Sequence, residues 1–131
     1  MPKKIKVAPC TGMGKVLATV ARVGALLATD EGKSDALELI CTPCVAAGVQ
    51  REIERIKGSD VIVIDGCIDE CCRKIFEENG AKIVADIKVW EVLRENKDLK
   101  PESRAKLGPK GMALAKKVAE KVKEEAVKLQ S

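Results

Sequence analysis

The chain has no histidine and no tyrosine, and its aromatic residues are one tryptophan and one phenylalanine. Without an imidazole, Ser-His-Asp and Cys-His catalysis, a histidine proton shuttle and a Cys/His zinc finger are all excluded. With two rings there is almost nothing on which a nucleobase can stack, so no nucleic-acid partner is expected. No apolar run approaches the roughly 18 residues of a spanning helix, so no membrane partner is expected either. The first ten residues, MPKKIKVAPC, lack the apolar stretch of a signal peptide. A soluble, cytoplasmic protein is the expectation. No pair of carboxylates stands out as acid and base, and no serine stands out as a nucleophile.

What is present is an ordinary globular composition with an unusual element in it. Apolar residues make up 46% of the 131 and charged residues 34%, which suits one domain with a single core. The net charge of +4 is mild, and only the C-terminal segment leans basic (Lys100, Arg104, Lys106, Lys110, Lys116, Lys117). The unusual element is six cysteines. In a reducing compartment that number points to metal or thiol chemistry more than to structural disulfides.

Hydrophobic periodicity gives the order of elements. KIKVAP (residues 4–9) reads as a first strand ending at Cys10. Residues 15–28 place apolar side chains on a helical period. Residues 36–40 read as a second strand ending at Cys41, followed by a helix over 45–57 that Gly58-Ser59 stops. VIVI (residues 61–64) is apolar on both faces, as expected inside a parallel sheet. Asp69 is placed to cap a helix that closes at Asn79-Gly80. Residues 82–85, extending toward Ile87, form a fourth strand and 88–95 a short helix. A polar break over 96–101 precedes a last helix over 109–129. That helix carries Leu114, Val118, Val122, Ala126 and Leu129 on one stripe, to pack on the sheet or on a partner chain.

Alternating strands and helices predict an α/β domain with a mainly parallel four-stranded sheet. The expected strand order is 2-1-3-4, in a three-layer, Rossmann-like arrangement. The whole chain, 1–131, reads as one domain, with the cysteines in 1–95 and a helical extension over 96–131. That extension is a candidate homodimer contact.

Each of the first three strands ends at a cysteine: Cys10, Cys41 and Cys67. In an open parallel sheet these positions share the carboxyl edge, where such folds bind ligands. With the first strand central and neighbours about 4.8 Å apart, thiols above adjacent strand ends can converge. Cys71, one turn into the third major helix, stands over Cys67 at i+4 spacing. A single buried cysteine reads as a small hydrophobe; three at successive strand ends with a fourth one turn on do not. Four thiolates suit a tetrahedral zinc ion, whose net charge of −2 helix N-termini, Lys15 and Arg73 would offset.

Other residues near these four carry weaker signals. Cys44 completes CTPC (residues 41–44), a C-x-x-C spacing, and reads as a spare thiol, a ligand in place of Cys71, or core. Cys72 points about 100° around the helix from Cys71 and reads as structural. Asp65 either bonds the turn amides or orients the site. PCTGMGK (residues 9–15) superficially matches a phosphate cradle. It lacks the P-loop glycine at Pro9 and hydroxyl at Val16, and the dinucleotide-fold glycine at Leu17. Its glycines instead let backbone pass near the cysteines.

Cys10, Gly12, Gly14 and Lys15, then Cys41, then Asp65-Gly66-Cys67 and Cys71, resemble the motifs of the DGC domain, a family of small proteins expected to bind zinc. The resemblance covers residues 5 to about 95. It implies one zinc ion per chain, chelated by Cys10, Cys41, Cys67 and Cys71, and supplies no reaction, substrate or protein partner. Cys44 and Cys72 depart from the family pattern. They keep two alternatives open: a thiol or persulfide oxidoreductase with Cys10 as nucleophile, resolved by Cys41, Cys44 or Cys67, and an iron–sulfur protein.

Overall fold

In the computed structural model, residues 4–10, 15–30, 34–66, 68–103 and 106–130 are described. Four strands, β1 (Ile5–Pro9), β2 (Leu37–Leu39), β3 (Asp60–Asp65) and β4 (Lys82–Lys88), form one sheet in the order β2-β1-β3-β4. Every pairing is parallel. The expected order therefore holds, and the sheet is wholly parallel rather than mainly so. Val7 and Ala8 of β1 and Val61 to Ile64 of β3 are fully buried. These are the two central strands, covered on both faces, which is why their sequences run apolar without alternation.

The helices are α1 (Val16–Ala28), α2 (Thr42–Ala46), α3 (Gln50–Ile56), α4 (Cys71–Glu78), α5 (Val89–Glu95) and α6 (Pro109–Gln130). A 3-10 turn, Lys97–Leu99, lies in the expected polar break. Helix α1 contacts β1, β3, α5 and α6, whereas α4 contacts β3, β4 and α2. Right-handed crossovers require this division. The step from β1 to β2 runs one way along the sheet and the steps from β2 to β3 to β4 run the other. Helix α1 therefore falls on one face and α4 on the opposite one, giving three layers.

Two expected boundaries change. The single helix over 45–57 is two helices, α2 and α3. Gly48 stands at φ +79°, a left-handed conformation that costs glycine little. Its amide bonds Val45 O and the Val49 amide bonds Cys44 O, the paired bonds that close a helix end. The chain then restarts one residue later at Gln50. At α4 the cap is not Asp69, which is exposed in the turn ahead of the helix. Glu70 takes the N-cap position, in a left-handed conformation and with no side-chain cap of its own.

The α6 stripe packs chiefly against α1 within the same chain. Leu114, Val118, Val122 and Ala126 are buried, while Leu129 remains 40% exposed. The helices approach closely at Gly24, where an added Cβ would lie 2.8 Å from Val118 Cγ1 and 3.3 Å from Ala115 O. Among the described residues no helix is long and apolar enough to cross a membrane.

Replacing Gly24 with alanine gains helix propensity, about 1 kcal/mol, but overpacks the contact, which costs about 1–3 kcal/mol. A net loss of stability on urea denaturation is expected. Because Val118 is the side chain struck, Gly24→Ala and Val118→Ala together should cost less than the sum of their separate losses, by about 1 kcal/mol. Fully additive losses would mean that the two helices do not meet at this pair.

Candidate functional site

The carboxyl edge is assembled around Cys10. Its amide continues the ladder by donating to Ile64 O at 2.8 Å, so it sits beside the end of β3. Thr42, the first residue of α2, donates its hydroxyl to Pro9 O at 2.8 Å. That bond ties the turn after Cys41 to the residue before Cys10. From the other side, Cys72 Sγ donates to Ala8 O at 3.2 Å and holds the start of α4 over β1. Helices α2 and α4 also touch each other.

Gly66 brings the turn after β3 down onto α1. A Cβ there would stand 2.6 Å from Ala18 Cα and 2.7 Å from Ala18 N, both backbone atoms. No side chain fits. The glycine of the DGC tripeptide is thus required by a close backbone approach, directly ahead of Cys67. Cys67 itself lies outside the described residues, as do Gly12 and Gly14.

The remaining cysteines sort by depth. Cys10 and Cys72 are buried, Cys44 is half-buried, and Cys41 and Cys71 are exposed. None of the five described cysteines is in a disulfide. Cys72 is 1% exposed. Burial first, then the charges of Asp65 and Cys10, push its thiol well up, so it stays protonated and donates. This agrees with its reading as structural. The structure places Cys10, Cys41 and Cys71 on the same edge. Among the described residues, however, no group of three or more cysteine or acid side chains forms a metal-holding cluster.

Asp65 sets the position of α4. Fully buried at the end of β3, it accepts from the Cys72 amide at 3.1 Å and the Arg73 amide at 3.3 Å through Oδ1. A carboxylate seven residues upstream thus does the work of an N-cap side chain. The left-handed Glu70 is held by ion pairs to Arg73 at 2.6 Å and Lys88 at 2.9 Å. The Lys88 hydrogen bond, followed by the charges of Arg73 and Lys88, keeps the Glu70 carboxyl below the usual range.

One site residue escaped the sequence reading. Asp86 of β4 pairs in register with Val63, which puts it on the same face as Asp65. A register shift opposite Val61/Ile62, where Val84 is the extra residue, produces that alignment. Asp65 Oδ2 and Asp86 Oδ1 are buried, and each lacks a donor. Two carboxylates can satisfy one another only if a proton stays between them. Burial, then hydrogen bonding to Asp65, raises the Asp86 pKa from 3.8 to about 7. The charge of Lys88 opposes this rise without cancelling it, and Arg73 Nε lies 3.7 Å from Asp86 Oδ2. An acid inside the otherwise apolar IVADI was the available signal.

Comparison with known proteins adds one finding. The family model described as the DGC domain matches residues 6–122, a span that takes in most of α6 as well as the cysteine-bearing segment. No curated protein and no solved structure matches the chain.

The Asp65–Asp86 pair makes stability depend on pH in a definite sense. Asp86 binds its proton more tightly folded than unfolded, so its contribution is fully present below about pH 4. It is lost as pH rises toward the folded value of about 7 and stays lost above it. Glu38 and Glu70, whose pKa values are lowered, act in the opposite direction in wild type and variant alike. Asp86→Asn should therefore remove a downward slope between about pH 4 and about pH 7 in denaturation-derived stability. Parallel profiles for the two proteins would exclude the shared proton.

Proposed function

The chain belongs to the DGC domain family, and from that premise we propose that it binds one zinc ion through the thiolates of Cys10, Cys41, Cys67 and Cys71. The observation that carries this reading is the edge itself. Hydrogen bonds through Pro9, Cys10 and Ala8 bring the ends of β1, β2 and β3 and the start of α4 around one point. The donor chemistry also fits. All four groups are thiols, a set that selects a soft or borderline ion, and the chain offers no imidazole to compete.

The ion, once bound, would supply a Lewis-acid and thiolate centre at the ligand-binding edge of the sheet. This chain's own residues do the positioning. Asp65 fixes the first turn of α4, which carries Cys71; Thr42 fixes the turn that carries Cys41; Gly66 lets the segment leading to Cys67 lie against α1. The fold has a substantial apolar core of its own, so the metal is not needed merely to make it fold. A role in metal sensing, storage, delivery or a catalytic step accords better with the position. Cys10, 8% exposed, is better sheltered than a first-attacked nucleophile would be, which favours a ligand over an oxidoreductase.

Metal content per chain, measured on protein purified anaerobically without chelator, tests this directly. About one zinc per chain is expected for the wild type, with loss in Cys67→Ser. Cobalt substitution should give a thiolate-to-metal charge-transfer band that weakens in the same variant. Iron with acid-labile sulfide, and a brown colour, would replace zinc by a cluster. No metal and freely titrating thiols would remove the metal-centre reading altogether.

A further inference from the structure

Cys44 is the thiol that the four-ligand reading leaves over, and the structure gives it a specific neighbour. Cys41 occupies the N-cap of α2 with extended backbone, and Cys44 is the third helical residue. Side chains at these two positions face each other across the first turn, as the partners of a capping box do. The turn is preset. Pro43 fixes its own φ between the two cysteines, and the Val45 amide closes it on Cys41 O at 3.2 Å. The helix ends immediately after, through the bond from Val49 N to Cys44 O at 2.9 Å.

The two thiols also differ in a useful way. Cys41 is exposed and Cys44 half-buried. An external disulfide therefore meets Cys41 first, with Cys44 beside it across the first turn to resolve the mixed disulfide. Cys10 and Cys72 are buried and shielded from this chemistry.

We propose that Cys41 and Cys44 form a dithiol that closes to a disulfide by exchange with a small external disulfide, and that closure withdraws Cys41 from the metal-binding thiolates. In the first step ionised Cys41 attacks one sulfur of the external disulfide. A mixed disulfide forms on Cys41 and one external thiolate leaves. Cys44 then gives its proton to solvent, and its sulfur attacks the Cys41 sulfur and expels the second external thiolate. Two protein thiols are oxidised to one disulfide, the external disulfide is reduced to two thiols, and the two protons end on those thiols. The disulfide requires only the geometry of α2. Its effect on metal binding rests on the four-thiolate reading above. It would give this chain a redox-controlled ligand through a cysteine outside the proposed four-thiolate set.

The test uses the full reduced chain, freed of metal, equilibrated anaerobically in reduced and oxidised glutathione, quenched with acid, alkylated and digested with trypsin. The peptide over residues 34–51 contains Cys41 and Cys44 and no other cysteine. It should be the first to appear lighter by the two thiol hydrogens. In Cys44→Ser the same peptide should instead carry glutathione on Cys41. A first disulfide between Cys67 and Cys71, or both thiols of the 34–51 peptide still reduced when other cysteines have oxidised, would overturn the dithiol. In zinc-loaded protein, wild type should release the metal at a lower ratio of oxidised to reduced glutathione than Cys44→Ser, which can form only the mixed disulfide on Cys41; release at the same ratio in both would overturn the gating. Failure of the reduced chain to take up zinc would count against the four-thiolate reading and the gating, while the peptide map would still decide the dithiol.

Discussion

Asp65 ends the most deeply buried strand of the sheet, and its carboxyl has no solvent to turn to. A buried carboxylate is tolerated only where donors are fixed for it. Here those donors are the first free amides of α4, which need an acceptor for their own reasons. Each side of this arrangement satisfies the other. The bond pins the start of α4 above the end of β3, and with it Cys71, Cys72 and Arg73. The opposite oxygen is left to Asp86, and below about pH 7 the proton held there spares the fold a pair of facing buried charges. The carboxyl edge depends on this one side chain for the placement of everything that α4 contributes.

The other half of the edge is placed by backbone carbonyls of β1. Ala8 O receives the Cys72 thiol and Pro9 O receives the Thr42 hydroxyl. Pro9 O lies beyond the last residue of β1 that β2 pairs and would otherwise need water, while Ala8 O belongs to a residue still paired with β3. By accepting from α4 and α2 they join the two helices that frame Cys10. Burial of Cys72 is therefore a structural use of sulfur. It stays protonated because it is buried beside Asp65 and Cys10, and a protonated thiol is the form that can donate.

Much of this was legible in the sequence because the signals were strong and local. Unbroken apolar runs named the central strands, and the cysteine after each strand end located the edge. The strand order followed from the α/β alternation, and the Asn79-Gly80 helix stop was read correctly. What escaped was set by longer-range geometry. The α2–α3 break depends on Gly48 adopting a left-handed conformation, and the helical periodicity around it gave no hint of that. The cap of α4 comes from a residue seven positions upstream, beyond any local capping pattern. Asp86 was missed for a similar reason. Without the extra residue at Val84, strict alternation would align Ala85 with Val63, and Asp86 would face away from Asp65. The DGC resemblance reached residue 95, whereas the family match extends through most of α6. The Gly24–Val118 contact shows why that helix belongs with the rest: α1, which rises directly from the cysteine edge, is covered by it.

The depth order of the thiols sets the direction from which the edge is approached. Cys10 is floored by the sheet and Cys72 is sealed beneath α4, so neither offers an entrance. Cys41 and Cys71 are exposed, as are Pro43, Ala46 and Ala47 close to the one in sequence and Asp69 and Ile68, the latter 75% exposed, close to the other. Charge at this rim is largely spent on itself, since Glu70 is engaged by Arg73 and Lys88. The exposed Cys41 is the thiol most open to exchange, and the buried Cys10 is far less so. Access, more than the number of cysteines, separates the thiols that can change state from those that cannot.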